Sequence, residues 1–361
     1  MYAKKKLSMK KVVLGFESTG SYGEPLFYFL LQKGVKLVQV NPYHTKQFKE
    51  LDDNTPLKSD TKDPKVIADL VAHGHYLSVN LPTGNSARLR RLTKSRESLI
   101  KDRTSKYNRL QQLIQILFSE IKKVIKSSKS KTLKYLMMKY TTPERIQRLS
   151  KERLCKILKK ESRGNYGMKQ AEELIEYAKC SVGVKEGSDE LVMEIRQILM
   201  LIEMLDKFID EIEMKMEKIL KRIPYSANLL SNKGIGIITV AGIIGEVLDF
   251  NRFRNQSAII KYAGLNLYEM SSGKHYGIRR ITKRGRGLLR KLLYFAAINT
   301  VKKGGIMHDY YKHLVETNGM IKKKALIAVS KKILSLMNAE ARDNTFYKEN
   351  HHEKETIKKA A

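Results

Sequence analysis

The sequence predicts an α/β region followed by a long all-α region, so the expected fold class is α/β plus all-α. Three observations lead to this prediction. Two short apolar runs, Val12–Ser18 and Gly34–Pro42, flank a segment with helical character. From about Ser86 the pattern of apolar residues becomes helical and stays so. Between Ile195 and Ile219 that helical period is unbroken.

The first region has the order of a βαβ unit. Val12–Ser18 predicts a strand, the next segment predicts a helix that ends at Gly34, and Gly34–Pro42 predicts a second strand. At this spacing the two strands are expected to be parallel. A further helix should start near Asp63 and Pro64, because Asp is a good N-cap and Pro is favoured at the first helical position.

The helical region begins with a basic helix between Ser86 and Lys126. Its apolar stripe lies among many Lys and Arg and comprises Leu99, Tyr107, Leu110, Ile114 and Leu117. Residues 128–185 are rich in Lys and Ser and predict a smaller helical insert with no clear chemistry.

A regular apolar seam follows the insert and ends before Pro224. Its positions alternate in steps of three and four, and they are Ile195, Ile198, Ile202, Leu205, Ile209, Ile212, Met216 and Ile219. Such spacing is typical of a coiled coil, within one chain or between two chains, and equally of a long helix packed inside its own subunit. Acidic neighbours make this helix a poor surface for DNA, so we interpret it as architecture.

The last third, from about Ala227, predicts a compact helical region. The sequence NKGIGIITVAGIIGEV has the Gly-Ile-Gly turn and the apolar second helix of a helix-hairpin-helix element. In that motif, backbone N–H groups at a helix N-terminus bind a phosphate. The alternative for the same local sequence is a plain helical turn.

The charge balance points to a polyanionic partner. The 361 residues include 70 Lys and Arg against 37 Asp and Glu, which gives a formal charge of +33. Such an excess repels itself in a compact chain, so nucleic acid is the natural partner. Apolar residues make up 42% of the chain, which is enough for buried cores and excludes a disordered basic tail.

Composition also excludes several classes of protein. Only two cysteines, Cys155 and Cys180, are present, which rules out a disulfide scaffold and a four-cysteine zinc site. The longest uncharged stretch that is predominantly apolar, Gly234–Gly245, has 12 residues. This is short of the ~20 that span a bilayer, so no membrane association is expected. Without a visible export signal, a cytoplasmic location is expected.

Three carboxylates form the first candidate site. Glu17 lies at the end of the first predicted strand, and Asp60 and Asp63 lie just before or at the start of a helix. A carboxylate at a strand end that faces carboxylates at a helix start is able to hold Mg²⁺ for phosphodiester chemistry. The alternative is ordinary, with Asp63 as a helix cap and Glu17 as a solvated turn residue.

Two serines beside a basic run form the second candidate site. Ser271, Ser272 and Gly273 precede a segment that contains no acidic residue up to Lys291. Its basic residues are Lys274, Arg279, Arg280, Lys283, Arg284, Arg286, Arg290 and Lys291. A serine attacks phosphate only when its proton is removed and the phosphate charge is offset, and this run supplies the second condition. The alternative is a glycine-bearing turn beside a phosphate-binding segment.

In this order the segments resemble the transposases of the insertion sequence 110 family, also called the 110/116/902 group. The sequence GFESTGSYGEPLFYFLLQKGVKLVQVNP resembles the strand, helix and strand of that family, and KSDTKDPKVIADL is similar to its second acidic element. The basic helix LRRLTKSRESLIKDRTSKYNRLQQL resembles the helix that closes the N-terminal domain. The stretch from GIGIITV to GRGLLRKLL resembles the C-terminal transposase domain throughout.

The resemblance implies a division into domains. Residues 1–85 would form a partial RNase H-like (RuvC-like) domain, and residues 86–226 a helical connector with long coiled-coil helices. Residues 227–345 would form the helical transposase domain with its helix-hairpin-helix-like element, followed by a charged tail at 346–361. Family members act as dimers that pair into tetramers, so a homo-dimer or tetramer through the coiled coil is expected.

The resemblance also implies the chemistry. A nucleophilic serine attacks a DNA phosphodiester, an Asp-Glu-Asp-Asp quartet holds Mg²⁺, and a structured bridge RNA pairs with the element ends and with the target DNA. Such a guided system reads sequence by base pairing, while the protein reads the backbone.

Carried over by position, Glu17, Asp60 and Asp63 match the last three acids of the quartet. The nucleophile is Ser271 or Ser272, with Ser271 preferred from its distance to the Ile-Thr-Lys element. The residues expected to face nucleic-acid phosphates are Lys274, Arg279, Arg280, Lys283, Arg284 and Arg286.

One departure from the family pattern bears on activity. The first acid of the quartet is expected upstream of Glu17, and the printed residues before Glu17 include no Asp or Glu. We therefore expect an N-terminally truncated member with doubtful catalysis. The alternatives to an active recombinase are a defective remnant that still binds RNA or DNA, a structural nucleic-acid-binding protein, and a junction resolvase that uses only the acids.

Overall fold

The computed structural model describes residues 12–17, 22–53, 63–268 and 280–347. The chain divides into two compact units at the bond between Thr83 and Gly84. Each unit is described by itself. Predicted sites at Asp60, Ser271, Ser272, Lys274 and Arg279 lie outside the described residues.

A small mixed sheet forms the centre of the first unit. Its strands are β1 (Val13–Glu17), β2 (Lys36–Val40) and β3 (Leu77–Ser78), in that spatial order. Strands β1 and β2 are parallel, as the sequence predicted, and Glu17 pairs in register with Val40. The short strand β3 runs antiparallel to β2.

Three helices accompany this sheet: α1 (Glu24–Gln32), α2 (Pro42–Asp53) and α3 (Asp63–Ala72). Helix α1 ends just before Gly34, whose φ of +68° favours glycine. Helix α3 begins at the predicted residue. Within the described part of the chain, the buried apolar side chains of this unit are Leu37, Val38, Val40, Val66 and Leu70. Val40, Val66 and Leu70 pack together in one cluster.

The second unit contains the remaining helices. The first seven are α4 (Gly84–Phe118), α5 (Ile121–Val124), α6 (Lys131–Lys139), α7 (Pro143–Gln147), α8 (Lys151–Ser162), α9 (Met168–Lys179) and α10 (Ser188–Leu220). Side chains of Ser130, Thr142 and Ser150 cap the starts of α6, α7 and α8 by accepting backbone N–H bonds. Residues 128–185 are thus a compact helical insert, as predicted.

The two long helices, α4 and α10, pack against each other in antiparallel directions. Three ion pairs join them, from Arg96 to Glu213, from Arg103 to Asp206 and from Arg109 to Glu194. The predicted seam of α10 is buried at every position except the half-buried Ile212. It packs on α4 and on the insert helix α6 of the same chain, so the seam is covered without a second copy.

The C-terminal part of this unit forms a second large core. Its elements are α11 (Ser226–Leu230), α12 (Ile237–Val247), α13 (Gln256–Ala263), β4 (Leu267–Tyr268), β5 (Arg280–Ile281), α14 (Gly287–Thr300), α15 (His308–Lys312), a π-helical turn (His313–Thr317) and α16 (Lys322–Asp343). Helix α12 lies at the centre, where it packs against α4 and α14. Across the described ranges, the structure contains no helix that is both long and apolar enough to cross a membrane.

Two glycines allow α12 to approach its neighbours closely. A Cβ atom on Gly245 would lie 2.8 Å from the backbone nitrogen of Arg90 in α4. A Cβ atom on Gly242 would lie 2.7 Å from Cδ1 of Leu292 in α14. The apolar Gly-containing helix predicted from the sequence is therefore a buried packing element between two other helices.

Candidate functional site

Two of the three predicted carboxylates lie at the ends of elements in the first unit. Glu17 is the last residue of β1 and is half-exposed. Asp63 is the first residue of α3 and is also half-exposed.

The packing of α3 on β1 places both carboxylates at one interface. Gly15 and Glu17 project from the same face of β1, because side chains alternate along a strand. A Cβ atom on Gly15 would lie 2.7 Å from Cγ2 of Val71 and 3.0 Å from Cγ2 of Ile67, so α3 covers this face. Asp63, Ile67 and Val71 follow at intervals of four along one side of the helix. Glu17 and Asp63 therefore both face the contact between strand and helix.

The donors at this interface suit a hard divalent cation. Carboxylate oxygens are the ligands that Mg²⁺ prefers, and Glu17 and Asp63 supply them from two elements. No cluster of three His, Cys, Asp or Glu side chains with metal-binding geometry occurs among the residues that the structure describes. Asp60, the third predicted ligand, falls outside that set.

The two predicted serines belong to a segment, 269–279, that joins β4 to β5 in the second unit. These strands are antiparallel, with Leu267 opposite Ile281 and Tyr268 opposite Arg280. The two ends of the serine-bearing segment are therefore held side by side at residues 268 and 280.

Hydrogen bonds hold the base of this hairpin in one conformation. We define the hairpin base as residues 264–268 and 280–285. The Thr282 hydroxyl donates to Oδ1 of Asn266 at 2.8 Å, and the Thr282 N–H donates to the carbonyl of Asn266 at 2.9 Å. Lys283 adopts a φ of +54° and donates its N–H to the carbonyl of Gly264 at 3.1 Å. A lysine in the left-handed region is costly, and these bonds hold it there.

The predicted basic residues of this region fall into two groups. Arg280, Lys283 and Arg284 are exposed on the hairpin base, and none has an ion-pair partner in the described portion of the chain. Arg286 is half-buried, and its Nε donates to the hydroxyl of Tyr262 at 3.0 Å. Arg290 donates to the carbonyl of Ala263 at 2.9 Å. The first group is available for phosphates, whereas the second ties α14 to α13.

The structure also identifies cations that our sequence interpretation missed. The guanidinium of Arg252 lies 4.5 Å from the ring centroid of Phe253 and 4.4 Å from that of Tyr262. The guanidinium of Arg286 also lies over the Tyr262 ring, 5.5 Å from its centroid, so both arginines contact Tyr262 beside the hairpin base. The Arg-Phe pair carried no distinctive pattern in the sequence. Several lysines of α16 were also missed, although the triplet Lys322–Lys324 is a visible basic cluster.

Comparisons with known proteins identify two matching family models. Residues 1–119 match a family model for DEDD transposases of the IS110 type. Residues 226–312 match a model described as transposase of the IS116/IS110/IS902 family. The first match includes all three predicted acids, and the second includes both serines and every basic residue of the hairpin base. Together the two ranges cover more than half of the chain.

Two relatives from Streptomyces extend the similarity between those ranges. The uncharacterized 44.8 kDa protein of insertion element IS116 from Streptomyces clavuligerus is 23% identical over 295 residues, covering 80% of this chain and 72% of the relative. The uncharacterized 43.6 kDa protein of insertion element IS110 from Streptomyces coelicolor is 22% identical over 293 residues, with the same coverage of 80% and 72%.

Proposed function

We infer the function from the premise that this chain belongs to the IS116/IS110/IS902 family of transposases. The family implies that the protein acts on DNA and uses a divalent metal. We propose that it is a DNA recombinase with a serine nucleophile, that Mg²⁺ is the metal, and that a structured RNA guides it. The observation that carries this proposal is the hairpin base, which holds the two ends of the serine-bearing segment side by side next to the exposed Arg280, Lys283 and Arg284.

The proposed nucleophile is Ser271, with Ser272 as the alternative. Its Oγ forms a new bond to phosphorus while the bond from phosphorus to one deoxyribose oxygen breaks. The products are a phosphoserine link and a free sugar hydroxyl, and one proton moves overall from the serine to that hydroxyl. Arg280, Lys283 and Arg284 are placed to offset the charge that develops on the phosphate oxygens.

The proposed metal ligands are Glu17, Asp60 and Asp63. A bound Mg²⁺ would supply Lewis-acid stabilisation of the phosphodiester oxygens. The contribution of the chain is to hold the Glu17 and Asp63 carboxylates at the contact between β1 and α3. Gly15 supports this geometry, because a larger residue would push α3 away from β1.

Assembly is proposed to use a face of α10 other than its seam. The seam is covered by the same chain, whereas a second apolar stripe of α10 is exposed. Its members are Met193, Met200, Leu201, Met204, Phe208 and Met214. A stripe of this size on one helix is typical of a protein interface. We propose that it pairs with the same stripe of a second copy, in line with the dimers of the family.

The assembly proposal is tested by light scattering. The double substitution Met204→Glu and Phe208→Glu should convert the dimer to a monomer, because it places charges in the centre of the stripe. Asp210→Lys changes an exposed residue of the same helix outside the stripe and should leave the dimer intact. A dimer that survives the double substitution would contradict this interface.

The catalytic proposal is tested by recombination of supercoiled donor and target plasmids with the RNA and Mg²⁺ present. The double substitution Ser271→Ala and Ser272→Ala should abolish recombination and the covalent protein–DNA adduct, and Glu17→Gln should abolish recombination. Ser257→Ala, at an exposed serine of α13, should leave both unchanged. Comparison of the two single serine substitutions then identifies the nucleophile, because only replacement of the attacking serine should abolish the adduct.

Other outcomes of this assay support other functions. DNA cutting that survives the double serine substitution but not Glu17→Gln would favour a resolvase that uses only the acids. Salt-sensitive binding of DNA and RNA without any recombination by the unsubstituted chain would favour a defective or structural family member.

A further inference from the structure

A groove runs between the hairpin base and helix α16. Its volume is about 850 Å³, which is within the range of ligand-binding clefts. One side is formed by β4, β5 and the two residues after β5, and the other by residues 320–331. We call it the α16 groove. Its α16 side lies beyond the range 226–312 that matches the family model.

The rim of the α16 groove is strongly basic. Its five cations are Arg280, Lys283, Lys323, Lys324 and Lys331. Among the described residues, the lining contains no Asp or Glu, and none of the five cations forms an ion pair with a described carboxylate. Five uncompensated charges around one cleft attract a polyanion.

The floor of the groove is apolar and includes an aromatic ring. Leu267 and Tyr268 are 55% and 42% exposed, although both lie in a paired strand. Ile281, Met320, Ile327 and Ala328 complete this surface. An isolated phosphate or sulfate needs no apolar floor. In a nucleic-acid duplex the paired bases stack on one another, so their faces are not available to the Tyr268 ring.

We propose that the α16 groove binds a single-stranded polynucleotide, with an unpaired base against Tyr268 and Leu267 and phosphates on the lysines of α16. A positive channel with an aromatic ring is how proteins bind single strands without reading their sequence. The inference deepens the proposed function, because it assigns a strand-binding site beside the serine-bearing segment. The chemistry is shared by a displaced DNA strand and by an unpaired part of the guide RNA.

The test uses fluorescence anisotropy with the full chain in the Ser271→Ala, Ser272→Ala background. Chemistry is absent there, so a failure of the groove is distinct from a failure of the serine mechanism. The probes are labelled oligo-dT, labelled oligo-rU and a DNA duplex of the same length. Tighter binding of oligo-dT identifies the occupant as DNA, and tighter binding of oligo-rU identifies it as RNA.

Two substitutions in the groove are compared with one outside it. The triple substitution Lys323→Gln, Lys324→Gln and Lys331→Gln should weaken single-strand binding at least tenfold. It should also lower the slope of log affinity against log salt by about 2, as expected for three lost phosphate contacts. Tyr268→Leu should weaken single-strand binding about tenfold through lost stacking and should leave the salt slope unchanged.

The matched control removes three charges from exposed helical positions of the insert. It is the triple substitution Lys139→Gln, Lys156→Gln and Lys160→Gln, which should have little effect. Equal losses from the control and groove triples would overturn the proposal in favour of general charge attraction. Equal losses for duplex and single strands would also overturn it. Circular dichroism of each variant verifies that the fold is intact.

Discussion

The two units of this protein differ in how much apolar surface their described residues bury. The first unit has five buried apolar side chains, of which three form one cluster, and α1 contributes none. Leu26 and Phe29 of α1 are instead more than half exposed. The second unit contains two large clusters, one around α4, α10 and the insert, and one around α12, α14 and α16.

The two proposed parts of the active site, the carboxylates and the serine-bearing segment, therefore lie in units that bury different amounts of apolar surface. The carboxylates Glu17 and Asp63 lie on elements with a small core, whereas the hairpin base is anchored in a large one. Since buried apolar area is the main source of stability, the acidic half should open more easily than the serine half.

The largest expected difference in stability is between two variants that each remove one aromatic side chain, one in each unit. Phe118, at the end of α4, is fully buried, and Phe118→Ala should lower the free energy of unfolding of the second unit by about 3–5 kcal/mol. Phe29→Ala, at a position that is 55% exposed, should cost less than about 1 kcal/mol. Urea unfolding followed by circular dichroism measures both. Similar losses for both substitutions would remove the contrast between the units.

Hydrogen exchange sharpens the same comparison without any substitution. Amides of α3 should exchange on the order of a hundredfold faster than those of α12, because helices with few buried contacts open at lower free energy. Mass spectrometry of peptides covering 63–72 and 237–247 measures this directly. Equal protection in the two helices would show that both units unfold in one cooperative step.

Much of the local structure follows from the sequence. The parallel pair of β1 and β2, the stop of α1 at Gly34 and the start of α3 at Asp63 are each confirmed. The seam of α10 identified its buried face correctly. These predictions are correct because apolar periodicity and the residues that start or end a helix depend only on positions near each other in the sequence.

Long-range contacts are what the sequence did not reveal. The seam spacing shows which face of α10 is buried, but not that α4 of the same chain covers it. The basic run after Ser271 has a uniform appearance, yet Arg286 is held by Tyr262, which lies 24 positions earlier. The α16 groove joins Arg280 to Lys323, and only folding brings these residues together.

An intermediate effect is expected from overpacking the second unit. In Gly245→Ala the added Cβ would meet the backbone of Arg90 at 2.8 Å, so α4 and α12 must separate. We expect a loss of about 1–3 kcal/mol in the free energy of unfolding. Gly236→Ala is the matched control in the turn before the same helix, where no atom lies within 4 Å of an added Cβ. A loss from the control as large as that from Gly245→Ala would show that close packing at Gly245 is not the cause.

The smallest expected effect is a pH dependence that arises in the second unit. Glu340 of α16 is buried and accepts a hydrogen bond from Nδ2 of Asn232 at 2.7 Å. Burial raises the pKa of Glu340 from 4.5 to about 7, and the bond from Asn232 opposes this only in part. Between these two values the folded state binds a proton that the unfolded state releases. Stability should therefore fall as the pH rises from 4.5 through 7.

Substitution by a neutral residue of the same shape isolates this effect. Glu340→Gln keeps an oxygen acceptor for Asn232 and cannot ionise, so its melting temperature relative to the unsubstituted chain should increase between pH 5 and pH 8. Glu152→Gln, at an exposed position of α8, should show a constant difference over the same range. If the difference for Glu340→Gln is also constant, the carboxyl group is ionised in the folded protein at both pH values. In that case the large core of the second unit tolerates a buried charge, which would weaken the contrast between the two units.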